Sequence, residues 1–381
     1  MKRTYIVILS VIILLLSHTL TAPAKKPGKI LLSTGDPFPD LTTDYAFSSQ
    51  DRDYLGFPKK FLSLIEKKTF SLRDIKADVI VVEFFNRYCT SCQAQAPVMN
   101  TVYKQIMDNA EIKDRVKFVG FGAGNNGREV EGFRQEKDIA FPLIPDQDFS
   151  FYEAIGDPGG TPFTLIVKKT GSDLIVAYAH MGLTKKPETF TDDIINAVKN
   201  DVATIKNMAK EKTVLQTTGR MLSLDMAETA VQEMVRQRML AASMKDAVIK
   251  RFSKTELKNS GIVYRGDVAA GTGSVTLFSK IFSRNPVCDV CHGIHFIFTF
   301  NDKGTVVDFH PIHVTKYGNV LWDENDADVI KNKLIARPVK DGYTFNPEVD
   351  AVSQATMSSA LIFNSFNKLQ RIVEEQQQTS R

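Results

Sequence analysis

Seven mostly apolar residues at 79–85, Val-Ile-Val-Val-Glu-Phe-Phe, lead through Asn86, Arg87 and Tyr88 into Cys89-Thr90-Ser91-Cys92, and residues 93–109 then carry a helical pattern. This order puts a thiol where a buried strand gives way to a helix. A helix N-terminus carries partial positive charge and unsatisfied N–H groups, which lower the pKa of a thiol placed there and populate thiolate near neutral pH. One turn later, Cys92 can close a disulfide onto Cys89 and release a bound sulfur. Cys89 is therefore read as the nucleophile and Cys92 as the resolving thiol.

The chain has only four cysteines, and the other two form a second pair, Cys288-Asp289-Val290-Cys291. At 381 residues and 43% apolar, it can bury a core without covalent staples, and two-residue loops constrain the unfolded chain little. Both pairs thus favour redox or cofactor chemistry. Its 48 basic and 44 acidic residues give a formal charge of +4 with no dense Lys/Arg block, which argues against a nucleic-acid partner. At the N-terminus, Lys2 and Arg3 precede an apolar run at 6–16 and the small-residue site Ala22-Pro23-Ala24, the pattern of a cleaved signal peptide over residues 1–24. The expected location is exported and periplasmic. Left uncleaved and extended through His18 and Leu20, the same segment would be a tether.

Residues 30–199 alternate short β-branched runs with amphipathic helices, the signature of an α/β fold. Strands are expected at 79–85, 116–121, 163–168 and 174–180, the last two joined by the turn Thr170-Gly171-Ser172, and helices at 93–109, 128–137 and 187–199. Three- and four-residue spacing of Leu, Met and Val, nearly free of Gly and Pro, predicts a helical connector over 200–257, with Met226, Met234, Met239 and Met244 as core filler. A smaller α+β domain follows at 258–370, with strands at 274–282, 295–300 and 305–309, the hairpin turn Asn301-Asp302-Lys303-Gly304, and a last helix at 358–375. Residues 371–381 read as a frayed tail.

The first half resembles the thioredoxin fold, in particular the exported thiol-disulfide oxidoreductases of the TlpA and ResA type. Gly35-Asp36-Pro37-Phe38-Pro39-Asp40-Leu41 resembles that family's entry motif, and Phe70-Ser71-Leu72-Arg73-Asp74-Ile75 the segment before its first central strand. Pro97, five residues after Cys92, is similar to the proline that bends the active-site helix, and Gly160-Thr161-Pro162 to the loop whose cis-proline faces the disulfide. Glu83, six residues before Cys89, stands where thioredoxins carry a buried acid; a carboxylate there would have a raised pKa and could take the proton of Cys92. The resemblance implies Cys89, Cys92, Glu83, Thr161 and Pro162 as the catalytic set, and protein dithiols and disulfides as partners. Tyr88 in place of the usual Trp, and Thr90-Ser91 between the cysteines, are departures that leave the direction of electron flow unassigned.

Cys288-Asp289-Val290-Cys291-His292 allows several chemistries. It spells the attachment pattern of c-type haem, with His292 as proximal ligand. With His310 and His313 it also offers a zinc donor set, although Pro311 stands between the two histidines. The favoured reading is a second redox pair that exchanges electrons with Cys89 and Cys92 or with a nearby cofactor; a structural disulfide is the remaining one.

A further clue is Asp350-Ala351-Val352-Ser353-Gln354-Ala355-Thr356-Met357-Ser358-Ser359, which resembles the flavinylation motif of the FMN-binding domains in the flavin subunits of Nqr and Rnf complexes. In that family a Thr at the position of Thr356 carries FMN through a phosphoester bond, with Gly usual where Gln354 stands. The resemblance implies FMN near Thr356, Ser353 and Ser358, the phosphate approaching the N–H groups of the last helix. The plain alternative is a polar N-capping run. The expectation for the whole chain is an exported thiol-disulfide oxidoreductase whose C-terminal domain supplies or accepts electrons through flavin or Cys288 and Cys291, with a membrane electron donor as a further partner. The competing expectations are a haem or zinc carrier with an accessory thioredoxin domain, and a thiol reductant in cytochrome maturation.

Overall fold

The computed structural model describes residues 31–57, 69–209, 224–271, 273–288 and 291–379. The signal-peptide reading lies outside the described residues. Among them, no helix is long and apolar enough to cross a membrane.

The first half is a thioredoxin-like α/β unit. Its strands are β1 (Val79–Phe85), β2 (Val116–Ala123), β3 (Leu143–Asp146), β4 (Phe163–Thr170) and β5 (Asp173–Met181), in the order β3-β2-β1-β4-β5. The β1, β2 and β3 strands pair in parallel, while β4 and β5 run antiparallel. Helices α1 (Thr90–Asp108), α2 (Gly127–Glu136) and α3 (Pro187–Lys199) surround this sheet. All seven residues of β1 are buried, as expected of a central strand covered on both faces. The edge strand β3 has no counterpart in the sequence reading. It is four residues long and contains Pro145, which cannot donate to a ladder, so neither length nor composition marks it.

The second half holds a five-stranded antiparallel meander, β6 (Val248–Leu257), β7 (Gly261–Ala270), β8 (Gly273–Arg284), β9 (Ile294–Asn301) and β10 (Val306–His313), in sequential order. Two of these strands correct the helical reading of 200–257 and the strand count of the domain. Helix α4 (Glu228–Ala241) ends at Ala241, and residues 248–257 are strand. The strand escaped sequence reasoning because it is mostly exposed and carries Lys250, Arg251 and Lys254, so it lacks an apolar alternation. Nor is α4 a spacer, since Val231, Val235 and Met239 pack with Tyr264, Val268, Leu277 and Ile297. A Cβ on Gly266 would lie 2.5 Å from the Met239 sulfur, so that methionine does fill core, whereas Met226 and Met244 are exposed.

The opposite face of the meander is covered by α6 (Thr356–Thr379), which follows α5 (Glu324–Leu334). Phe296, Phe298 and Phe300 of β9 join Phe309 and Phe366 there, and with Ile297 packed on the α4 side this strand is buried on both faces. The helix runs through Thr379, and residues 380–381 of the expected frayed tail lie outside the described residues. Its Glu375 carboxylate accepts from the Asn259 N–H at 2.9 Å and the Ser260 hydroxyl at 2.7 Å, tying the last turns to the β6–β7 turn.

The two halves share one apolar cluster, in which Phe149 and Tyr152 of the first meet Val287, Ile294 and Leu361 of the second. At this junction the Arg284 side chain is only 10% exposed, donating to Glu153 at 2.9 Å, Asn364 at 2.7 Å and Ser365 at 2.8 Å. Glu153 is one-third exposed and keeps Lys368 as a partner, so Arg284→Ala chiefly removes the bonds to Asn364 and Ser365 and should lower the unfolding free energy by about 2 kcal/mol. Denaturant titration of the full chain checks this; an unchanged midpoint would mean the junction carries little stability.

Candidate active site

Cys89 is the N-cap of α1 and Cys92 lies in its first turn, so the strand-to-helix placement expected from the sequence is present. Asn86 builds the connecting loop, donating to the Ala123 carbonyl at 2.7 Å and accepting from the Tyr88 N–H at 2.9 Å. Asn125 accepts from the Arg87 N–H at 2.8 Å. Downstream, Pro97 lies inside α1, and Gln95 of the same helix is fully buried, exchanging bonds of 3.0 and 2.8 Å with Thr184. Sequence reasoning missed Asn86, Gln95 and Asn125. All three are buried; Asn86 and Gln95 are hydrogen-bonded through their side chains, whereas Asn125 uses its oxygen and leaves Nδ2 without a partner among the described residues.

Opposite the cysteines, the Thr161–Pro162 peptide is cis, as the resemblance implied. The Cys89 thiol donates to the Thr161 carbonyl at 3.4 Å, and the Cys92 sulfur accepts from the Asn86 N–H at 3.4 Å. Burial, with Cys89 beside it, pushes the Cys92 thiol well above its ordinary pKa. Glu83 is buried in the middle of β1, where desolvation pushes its carboxyl up to about 8. A buried acid and a buried thiol of raised pKa in the same unit are the components of a resolving step.

The second pair closes onto this site. Cys288 and Cys291 are joined by a disulfide at the end of the segment after β8. Residues 285–288 run across the loop that precedes β4: Asn285 donates to Asp157 at 2.7 Å, and the Thr161 hydroxyl donates to the Val287 carbonyl at 2.7 Å. The Tyr152 hydroxyl lies 3.4 Å from the Pro286 carbonyl and accepts from the Gly160 N–H at 2.8 Å. Tyr152 is held in turn by Asp146, whose carboxylate accepts from the Phe151 and Tyr152 N–H groups at 2.9 Å each and whose pKa burial pushes up to about 8. Cys288 is buried in the same apolar cluster as Cys89 and Cys92, with Cys291 half-buried against it.

Cys288 and Cys291 also line a cavity of about 610 Å³, with Tyr88, His292, Tyr317, Asn319, Thr356 and Ser358. That volume is within the usual range of small-molecule sites, about 300–1,000 Å³. Thr356 is the first residue of α6, two residues earlier than expected, and the Ser358 hydroxyl donates to the Thr315 carbonyl at 2.8 Å. Gln354 takes φ +61°, the left-handed conformation that favours glycine, and its carbonyl accepts from the Tyr317 N–H at 2.8 Å. The tight turn therefore forms despite the glutamine. Ser353, expected in the cofactor set, is exposed and is not among the cavity-lining residues.

The residues of the zinc alternative do not come together in this structure. Cys288 and Cys291 are bonded to each other rather than held as thiolates. Among the described residues, no three His, Cys, Asp or Glu side chains converge as a metal site, so His310 and His313 do not complete one. The same disulfide occupies both sulfurs that haem attachment would need, and His292 lines the cavity.

Residues 33–198 match the model of the Redoxin family. The chain is 25% identical over 114 residues to the thiol-disulfide oxidoreductase ResA of Geobacillus thermodenitrificans (strain NG80-2), covering 30% of this chain and 62% of that protein. To ResA of Bacillus subtilis (strain 168) it is 24% identical over 132 residues, covering 35% and 68%. The chain thus spans less than two thirds of the first of these relatives. Among solved structures it is similar to a thiol:disulfide interchange protein of the thioredoxin family from Chlorobium tepidum TLS, at 19% identity and TM-score 0.30, covering 44% of this chain and 97% of that one. StoA from Bacillus subtilis is similar at 17% identity and TM-score 0.27, covering 33% and 87%. These matches concern the first half.

Proposed function

We propose that this protein is an exported thiol-disulfide oxidoreductase working through Cys89 and Cys92, with the C-terminal unit and its Cys288–Cys291 pair as the route by which electrons enter or leave. The observation that carries the reading is Cys89 at the N-cap of α1, within reach of the Thr161 carbonyl and one turn from Cys92. The Cys89 thiolate attacks one sulfur of a partner disulfide, the other sulfur leaves as thiolate, and a mixed disulfide forms. Glu83 then takes the Cys92 proton, the Cys92 thiolate attacks the Cys89 sulfur, and the partner's second sulfur leaves. Two electrons pass from the Cys89–Cys92 dithiol to the partner, and the reverse sequence oxidises partner dithiols. Protein dithiols and disulfides in the exported compartment are the substrates, and a membrane electron donor would renew the dithiol.

The cavity beside Cys291 suits a flavin mononucleotide. Thr356 and Ser358 at the start of α6, with the Tyr317–Asn319 turn, would hold its phosphate end, and Tyr88 and His292 also line the same space. A bound flavin supplies one- and two-electron redox chemistry next to a disulfide. Full-length protein made in an exporting host able to flavinylate should show a flavin absorption spectrum and the added mass of FMN, both lost in Thr356→Ala. A colourless protein of unmodified mass would remove the flavin and leave a two-centre dithiol enzyme.

A further inference from the structure

Residues 285–288 lie across the 157–161 loop, and Cys288 shares an apolar cluster with Cys89. The Thr161 side chain grips the Val287 carbonyl, immediately before Cys288, while the Thr161 main-chain carbonyl accepts from the Cys89 thiol. One residue thus orients both partners of an exchange. Asn285 and Pro286 extend the contact along Asp157 and Tyr152, so the segment is held at three successive points. The covered nucleophile is unusual in itself. Cys89 is 0% exposed, although a thiol serving only external proteins would have to be reachable, and Cys288 is 2% exposed in the same apolar cluster. Both cysteines line the cavity, and Cys291 is the less covered of the two, half-buried where Cys288 is buried.

From this we propose that the 285–288 segment is a built-in substrate of the first centre, with Cys288 the sulfur that bonds to Cys89 and Cys291 the leaving sulfur that faces the cavity. This rests on the reading of Cys89 as nucleophile. The Cys89 thiolate attacks the Cys288 sulfur, the Cys288–Cys291 bond breaks, and Cys291 departs as thiolate and takes a proton through the cavity. Cys92, its proton passed to Glu83, then attacks Cys89, and Cys288 leaves as thiolate to be protonated in turn. The result is a Cys89–Cys92 disulfide and a Cys288/Cys291 dithiol, with two electrons transferred and no outside oxidant. An external disulfide reaching Cys89 must displace the segment, whereas a cavity ligand meets Cys291 without doing so.

The test uses the full chain in two double variants. Cys92→Ser/Cys291→Ser keeps only Cys89 and Cys288, and Cys92→Ser/Cys288→Ser keeps only Cys89 and Cys291. Each is treated with oxidised glutathione, quenched with N-ethylmaleimide and mapped by peptide mass. The expected result is a within-chain Cys89–Cys288 bond, formed at least about tenfold faster than Cys89–Cys291 and at a rate independent of protein concentration. Equal rates, a faster Cys89–Cys291 bond, or glutathione adducts with no within-chain bond would each overturn the proposal. A measurement on the unsubstituted chain guards against misfolded variants. After one equivalent of dithiothreitol and acid quench, the minor cross-linked species should be Cys89–Cys288 with Cys291 alkylated; Cys89–Cys291 with Cys288 alkylated, or neither species, contradicts it. Glutathione exchange at Cys89 in the unsubstituted chain separates the two levels: exchange without a Cys89–Cys288 species defeats this proposal alone, and no exchange defeats the reading beneath it.

Discussion

Cys92→Ser should convert the protein into a trap, holding Cys89 in a stable mixed disulfide after reaction with oxidised glutathione. Cys89→Ser should form no such adduct at this centre. The asymmetry follows from position. Cys89 caps α1, where the helix N-terminus favours thiolate, and the thiolate is the attacking species. Burial, with Cys89 beside it, raises the pKa of Cys92, so it is poorly suited to open an exchange and well suited to finish one inside the protein. Without Cys92 the second displacement has no nucleophile within one helical turn, and release should slow roughly a thousandfold or more, as when one member of a cooperating catalytic set is removed. Intact mass after alkylation reads both outcomes. Equal adduct on the two variants would remove the division of labour.

Glu83→Gln should separate a proton-transfer role from a packing role. In the folded chain burial raises the Glu83 pKa from 4.5 to about 8. Between those values the folded state holds a proton that the unfolded state has lost, so stability falls as pH rises through this window and levels off above it. The sign is that of a raised carboxyl: its favourable contribution is complete below about 4.5 and gone above about 8. The shift corresponds to roughly 5 kcal/mol, an order-of-magnitude figure. Glutamine neither gains nor loses a proton, so the stability difference between variant and parent should move in the variant's favour as pH rises from 4.5 to 8. Subtracting the parent removes the parallel titration of Asp146, which burial also raises. Catalysis should move the opposite way, with resolution slowed about a hundredfold or more by loss of the base. Paired urea titrations across pH, with single-turnover resolution rates, check both; a pH-independent difference or an unchanged rate would make Glu83 a packing residue.

What could be read from the sequence was local. The strand-to-helix placement of Cys89 and Cys92 follows from their own segment, whereas Glu83, Pro97 and the cis Thr161-Pro162 were found through the resemblance. The meander strands at 248–257 and 261–270 were illegible because their burial comes from α4 and α6, not from an alternation within them. The turn at Gln354 hid behind an unfavourable residue, its left-handed backbone braced by Tyr317 from another element. Least legible of all was the meeting of the two cysteine pairs. It depends on contacts such as Thr161 to Val287, separated by 126 positions, which no periodicity encodes.

The central claim is thiol-disulfide exchange by Cys89, and the most direct measurement is reduction of a protein disulfide by the full chain with dithiothreitol as electron source, beside the Cys89→Ser variant. Turnover well above the uncatalysed rate, lost on that one substitution, is the predicted result. A rate equal to background, or one that Cys89→Ser leaves intact, would contradict it.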